Sequence, residues 1–220
     1  MSLMDLLRDV GGDTAGGKIT GILVGIVTNN QDPDGLGRVR VRFPVRESND
    51  ESPWARVVTL MAGNNRGSFF LPEVGDEVLV AFEQGDAEHP YILGAVWNGQ
   101  DKPPADNGDG KNNLRKLRSR SGHEILFDDN AEAKQEKIVI KTNGGHIITL
   151  DDSSGQEKIE IKDNTENNSI IIDSKQNSIA IESAMKLSIK SQIIEIEAQN
   201  MMTIKANATL TLQGGLVKIN

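Results

Sequence analysis

Few side chains in these 220 residues have the type and spacing that invite chemistry. Two pairs of adjacent carboxylates stand out, Asp128-Asp129 and Asp151-Asp152. Glycoside hydrolysis needs two carboxyls facing each other across a cleft, one with a raised pKa. Both pairs instead end short alternating runs and precede turns, where Asp is favoured for local backbone reasons. They predict strand ends. His123 and His146 share parity with Ile125 and Phe127, and with Ile148 and Leu150. Copies brought to one axis would gather imidazoles there, but a closely spaced second ligand such as His-x-His is missing, so a hydrogen-bonded or partly solvated His is expected. Asp32-Pro33-Asp34-Gly35 begins like a calcium loop, yet its twelfth position is Phe43 and not Glu, so a turn is expected.

Arg38, Arg40 and Arg42 alternate with Val39, Val41 and Phe43. A solvated outer face is the expected reading, with an acidic partner or single-stranded nucleic acid as the alternative. A nucleic-acid groove wants stacking aromatics, and most of the five Phe, two Trp and one Tyr fall at the inward parity of their strands. No Ser-His-Asp set, phosphate-cradling glycine loop or zinc-binding helix motif is present. The sequence thus predicts no catalytic, cofactor-binding or metal-binding residue and no enzyme. Net charge is −8, which argues against general affinity for a nucleic-acid backbone. There is no cysteine to supply disulfides or thiolate ligands. No apolar run reaches the length of a membrane helix, and the N-terminus lacks a signal-peptide pattern. Cytosolic synthesis and assembly are expected, or exit by a route that reads no such signal.

The elements that must position these residues are clearest in the last third. From Lys137 onward the chain repeats a pair of aliphatics separated by one residue and followed by a short polar turn. The pairs are Ile138 and Ile140, Ile148 and Leu150, Ile159 and Ile161, Ile170 and Ile172, and Ile179 and Ile181. They continue with Leu187 and Ile189, Ile194 and Ile196, Met202 and Ile204, Leu210 and Leu212, and Val217 and Ile219. The period of two inside each pair is strand alternation. The steps between second members run 10, 11, 11, 9, 8, 7, 8, 8 and 7 residues, so the repeat tightens toward the C-terminus. Such a series reads as a solenoid or prism built by stacking. Two inward aliphatics per strand are too narrow a stripe to stay dry alone. Either one chain coils with about three strands per turn, or three chains wind around a shared threefold axis. The trimer is favoured because it leaves no free sheet edge along its length. These twenty aliphatics are then the expected trimer core.

Ahead of the rod, residues 19–97 hold five strand-like runs: Ile19–Thr28, Gly37–Pro44, Trp54–Met61, Glu77–Glu83 and Tyr91–Trp97. Turn clusters separate them, which suits a small Greek-key barrel of the OB type. Residues 1–18 begin with an amphipathic piece, Met1–Val10, followed by a glycine-rich hinge; a frayed end and a docking segment are both open readings. Residues 98–113 are a linker by composition. Residues 114–220 form the rod, where GHEILFDD (122–129) returns as GHIITLDD (145–152). The predicted architecture is all-β, an OB-fold barrel followed by a trimeric triple-stranded β-helix.

Three stretches resemble the spike proteins of contractile injection systems, phage baseplate assembly protein V and the VgrG spikes of type VI secretion. They are GIVTNNQDPDGLGRVRVRFP (25–44), SPWARVVTLMAGNNRGSFFLPEVGDEVLVAFEQGD (52–86) with HPYILGAVWN (89–98), and RSRSGHEILFDD (118–129). The resemblance implies a structural homotrimer acting as the central needle, and contact with the target membrane as a contracting sheath drives it outward. It implies a separate hub protein at the barrel end, since no long hub region precedes the barrel. It also implies a PAAR-type tip on the C-terminal end, Leu216, Val217, Lys218, Ile219 and Asn220. The chain would be assembled inside an injection particle or phage tail and ejected into a target envelope. The alternative is an OB-fold module that binds oligosaccharide or nucleic acid, carried on a β-solenoid stalk.

Overall fold

A computed structural model describes residues 18–45 and 50–219. The chain divides between Asp106 and Asn107 into two compact units. The amphipathic piece Met1–Val10 lies outside the described residues.

The first unit contains strands β1 (Leu23–Asn29), β2 (Arg40–Arg42), β3 (Arg56–Val57), β4 (Ala62–Gly63), β5 (Arg66–Gly67), β6 (Glu77–Phe82) and β7 (Pro90–Ala95). Five of them form one sheet in the order β2-β1-β6-β7-β3. All neighbours are antiparallel except β3 with β7. A bridge between Val39 and Ala55 joins the two outer strands, so the sheet closes on itself as a barrel. Period-two alternation drives the closure, because every second residue turns inward. Val27, Val39, Val41, Phe43, Ala55, Val78, Val80 and Ile92 form the buried core. Phe82 adds a tilted ring 6.0 Å from that of Phe43. Gly25 allows β1 to pass close to this core, since a Cβ there would stand 3.1 Å from Val80 and 3.2 Å from Val41. The buried Ser52 is fully engaged: its hydroxyl accepts from the Val41 N–H at 3.1 Å and donates to the Pro53 carbonyl at 2.7 Å.

All five expected runs contribute a strand, but the third behaves differently from its sequence. Trp54–Met61 reads as one strand, whereas pairing with β7 ends once the Val58 N–H has donated to the Ile92 carbonyl. The chain then leaves the sheet as an arm, folds back through the β4–β5 hairpin and returns at Phe69 and Phe70. Gly67 makes that reversal possible, with φ of +145° and a would-be Cβ only 2.3 Å from the Met61 carbonyl oxygen. The aromatics also depart from expectation. Phe43 and Phe82 pack in the barrel, while Phe69, Phe70 and Trp97 are 78%, 75% and 69% exposed.

The second unit is a seven-stranded antiparallel meander in sequence order: β8 (Leu114–Arg118), β9 (Glu124–Asp128), β10 (Lys137–Lys141), β11 (Ile147–Asp151), β12 (Lys158–Lys162), β13 (Asn168–Asp173) and β14 (Ser178–Ser183). The first five aliphatic pairs lie on β10 to β14. The last five, from Leu187 and Ile189 to Val217 and Ile219, lie beyond Ser183, where no strand occurs among the described residues. Within one chain the strand series therefore ends at β14, and the last five pairs have no strand partner of their own among the described residues. The physical reason is partner supply: alternation specifies an extended chain, but a strand exists only when another strand takes its backbone hydrogen bonds.

Candidate functional site: a two-column aliphatic face

Residue-for-residue register across the meander stacks the paired aliphatics into two columns. One runs Leu117, Ile125, Ile140, Ile148, Ile161, Ile170 and Ile181. The other runs Phe127, Ile138, Leu150, Ile159, Ile172 and Ile179. A slip of one residue in any strand would send its pair to the opposite side, so the pattern itself enforces this register. Within the columns each side chain is flanked by neighbours on adjacent strands, and only its outward surface stays open. Across β9 to β13 the exposure is uniform, from 36% at Ile138 to 43% at Ile161. Burying what remains of one such side chain is worth about 1 kcal/mol, and the face as a whole on the order of 10 kcal/mol per chain. That equals the net stability of a typical domain. A contiguous apolar face of this size marks a contact surface.

The opposite face is mixed, with Leu126, Val139, Thr149, Glu160 and Ile171 along its middle row, each less exposed than the aliphatic columns. Its flanking row alternates in sign across the strands, Asp128, Lys137, Asp151, Lys158 and Asp173. Glu160 takes Lys162 at 3.0 Å and Lys158 at 3.4 Å, and Glu124 takes Arg118 at 3.2 Å. Cross-strand pairs of opposite charge stabilise the sheet modestly.

Asp128 and Asp151 occupy this charged row, while Asp129 pairs with Arg115 at 2.8 Å. Burial works to raise the Asp151 carboxyl. The Ser153 hydroxyl and backbone N–H, with Lys137 and Lys158 alongside, outweigh it and hold the group below the usual carboxylate range. A general acid needs the opposite displacement. His123 and His146 fall on the aliphatic side but at its edge, both exposed. The Nδ1 of His123 accepts the Asn143 N–H and that of His146 accepts the Asn164 N–H, each at 3.2 Å. Each imidazole therefore ties its own turn to the next one along the sheet. Among the described residues no cluster of three His, Cys, Asp or Glu is placed to hold a metal.

In the barrel, Asp32 closes the β1–β2 connection. Its carboxylate accepts the N–H groups of Asp34, Leu36 and Arg38 and both a 2.9 Å and a 2.7 Å bond from the Arg38 guanidinium. Arg38 holds this carboxyl far below its ordinary range, and Asp32 and Asp34 push the guanidinium up in return. The calcium-loop resemblance resolves into this turn. Arg40 is engaged too, paired with Glu51 at 3.2 Å and lying 4.8 Å from the Trp54 ring centroid. Two of the three alternating arginines thus have partners within the chain.

These barrel residues decide the comparison with known proteins. Residues 23–97 match the family described as the type VI secretion system/phage-baseplate injector OB domain. Over these residues the chain is similar to an injector OB domain. The match takes in β1 to β7 and bears out the OB reading of the barrel. Relatives carry the resemblance further. The chain is 38% identical over 92 residues to type VI secretion system spike protein VgrG1a of Pseudomonas aeruginosa, covering 40% of this chain and 14% of that one. With VgrG4b of the same species identity is 33% over 131 residues, 50% of this chain and 16% of that one. With VgrG3 of Vibrio cholerae it is 40% over 75 residues, 32% and 7% respectively. The resemblance to contractile-injection spike proteins read from the sequence is therefore borne out, while the chain spans under a fifth of the length of these relatives.

What sequence reasoning missed around the barrel is the arm and its exposed rings. Phe69-Phe70 next to Gly67 was a usable signal, because adjacent aromatics break the alternation that an inward-facing strand requires.

Proposed function

We propose that this chain forms the structural central spike of a contractile injection apparatus, as a homotrimer whose three aliphatic faces meet around one axis. The observation that carries this reading is the two-column face, followed by 36 residues from Ala184 to Ile219 that keep the same aliphatic alternation without a strand partner in their own chain. Three copies supply both deficits at once. The faces bury one another, and the extended tails gain neighbours for their backbone groups. The trimer core consists of the pairs from Ile138 and Ile140 to Val217 and Ile219.

The injector OB domain is the attachment point for a hub protein. The last residues of the rod, Leu216 to Ile219, take a PAAR-type tip, with Asn220 outside the described residues. The charged outer rows let the rod slide through a tube and across a target envelope when a sheath contracts. The role is mechanical and needs no catalytic group. The alternative of an OB module binding oligosaccharide or nucleic acid is the weaker one, because Arg38 and Arg40 are already paired with Asp32, Asp34 and Glu51.

Light scattering of the purified chain, with an unboiled SDS gel lane beside it, tests the proposal. A particle of about 72 kDa, three times the 23.9 kDa of one chain, that survives SDS is expected. A 23.9 kDa monomer overturns the trimer and, with it, the spike.

A further inference from the structure

The rod face is not the only large apolar surface in the chain. The arm between Val58 and Leu71 leaves the barrel with hydrophobic side chains on both of its sides. Leu60 is 97% exposed, and Phe69 and Phe70 together expose roughly 300 Å² of ring surface. Between the arm and the β1–β2 turn lies an open groove of about 660 Å³, lined by Leu36, Met61, Phe69 and Phe70 and floored by Gly35 and Gly37. The Phe69 ring lies over Gly37, where a Cβ would come to 3.5 Å of it. From Thr59 to Leu71 the only charged residue is Arg66. A solvated loop of this length does not normally carry this composition.

We propose that the arm and groove are a second contact between copies of this chain, with the arm of one barrel packing into the groove of the next. This inference rests on the trimeric reading above. Three features point to a copy of the same chain as occupant. First, the surface offers a protruding apolar knob at Leu60 and an apolar groove within the same structural feature. A knob and groove carried by one protein join head to tail, and such contacts close into a ring of three where a threefold rod already sets the rotation between copies. Second, the size is right. The two rings with Leu36, Val58, Leu60 and Met61 bring the face toward the roughly 800 Å² per partner that a stable interface uses. Third, the near absence of charge suits self-contact. With Arg66 as its single charge, the arm can be covered by another copy while few ionic groups lose water. The barrels would then hold each other independently of the rod and fix the rotational position of the three chains before the rods engage.

The chain has no cysteine, so cysteines can be introduced against an empty background. Two arm variants, Leu60→Cys with Leu36→Cys and Leu60→Cys with Phe70→Cys, each set one cysteine on the knob and one in the groove, and Ile181→Cys reports on the rod. Glu88→Cys, exposed in the β6–β7 connection, is the control. Each full-length variant is treated with a short bismaleimide at low concentration and run on a denaturing gel. The expected result is a band joining two or three chains from either arm variant, in at least tenfold excess over Glu88→Cys and unchanged on dilution. If Ile181→Cys cross-links and neither arm variant does, the arm contact is overturned and the trimer stands. If none cross-links and the mass is that of one chain, the trimeric reading has failed first. Arm cysteines that stay uncross-linked in the pure protein, yet become protected from maleimide when injection particles are assembled, identify a hub protein as the occupant and also overturn the proposal.

Discussion

Replacing Ile161 by Asp separates a free sheet face from a closed interior by magnitude alone. Ile161 stands in the middle of the meander between Ile148 and Ile170, and it is 43% exposed in the isolated chain. If that exposure is real in solution, Asp keeps its hydration. The substitution then loses only lateral packing, about 1–2 kcal/mol, plus up to about 1 kcal/mol of strand preference. If three faces meet, each copy places a carboxylate where water is excluded. The effective penalty is several kcal/mol per ion, so the trimer loses on the order of 10 kcal/mol or more unless the groups take up protons. The assay is mass by light scattering with thermal unfolding, on Ile161→Asp beside Glu160→Gln. Glu160 projects from the opposite face toward Lys158 and Lys162, and its variant is expected to leave assembly intact. Ile161→Asp is expected to run as monomer or aggregate and to lose SDS resistance. An intact trimer melting within a few degrees of the parent would refute the assignment of this face to the interior.

Acid dependence follows from Asp32. Its folded pKa is depressed by Arg38, so its contribution is complete above the unfolded value of about 3.9 and is lost as pH falls below it. Asp32→Asn should therefore destabilise the barrel at pH 7 and lose most of that difference near pH 2, as followed by Trp fluorescence during urea unfolding. Equal destabilisation at both pH values would mean that the effect is not electrostatic. Gly67→Ala forces a side chain onto a φ of +145° against the Met61 carbonyl and should cost about 1–3 kcal/mol of local strain. Hydrogen exchange should show it as faster opening of the arm with β1 and β6 unchanged; a uniform rise across the barrel would place the arm inside the core.

The sequence by itself determined whatever depends on local periodicity. Alternation at Val39, Val41 and Phe43, and at Val78 and Val80, marks barrel strands without reference to their partners. The aliphatic pairs similarly specify both the strands of the meander and their register, since a one-residue slip would turn Ile148 and Leu150 toward the charged row. The turn at Asp32–Gly35 was legible for the same reason, because Pro33 fixes φ and Gly35 and Gly37 accept the positive φ that the turn takes.

Only the tertiary structure decided where alternation stops producing strands. Trp54–Met61 looks continuous, yet β7 offers hydrogen bonds only as far as Ile92, and the remainder becomes the arm with Phe69 and Phe70 outside the barrel. In the second unit, the ten pairs look alike, but strand pairing within one chain ends at Ser183. The use of Arg38 was equally hidden, since its two carboxylate partners are set by the folding of a turn and not by strand parity. In each case the deciding quantity is a partner for a backbone bond or a charge. Such partners come from elsewhere in the chain or from another copy, whereas alternation describes only the strand that carries it.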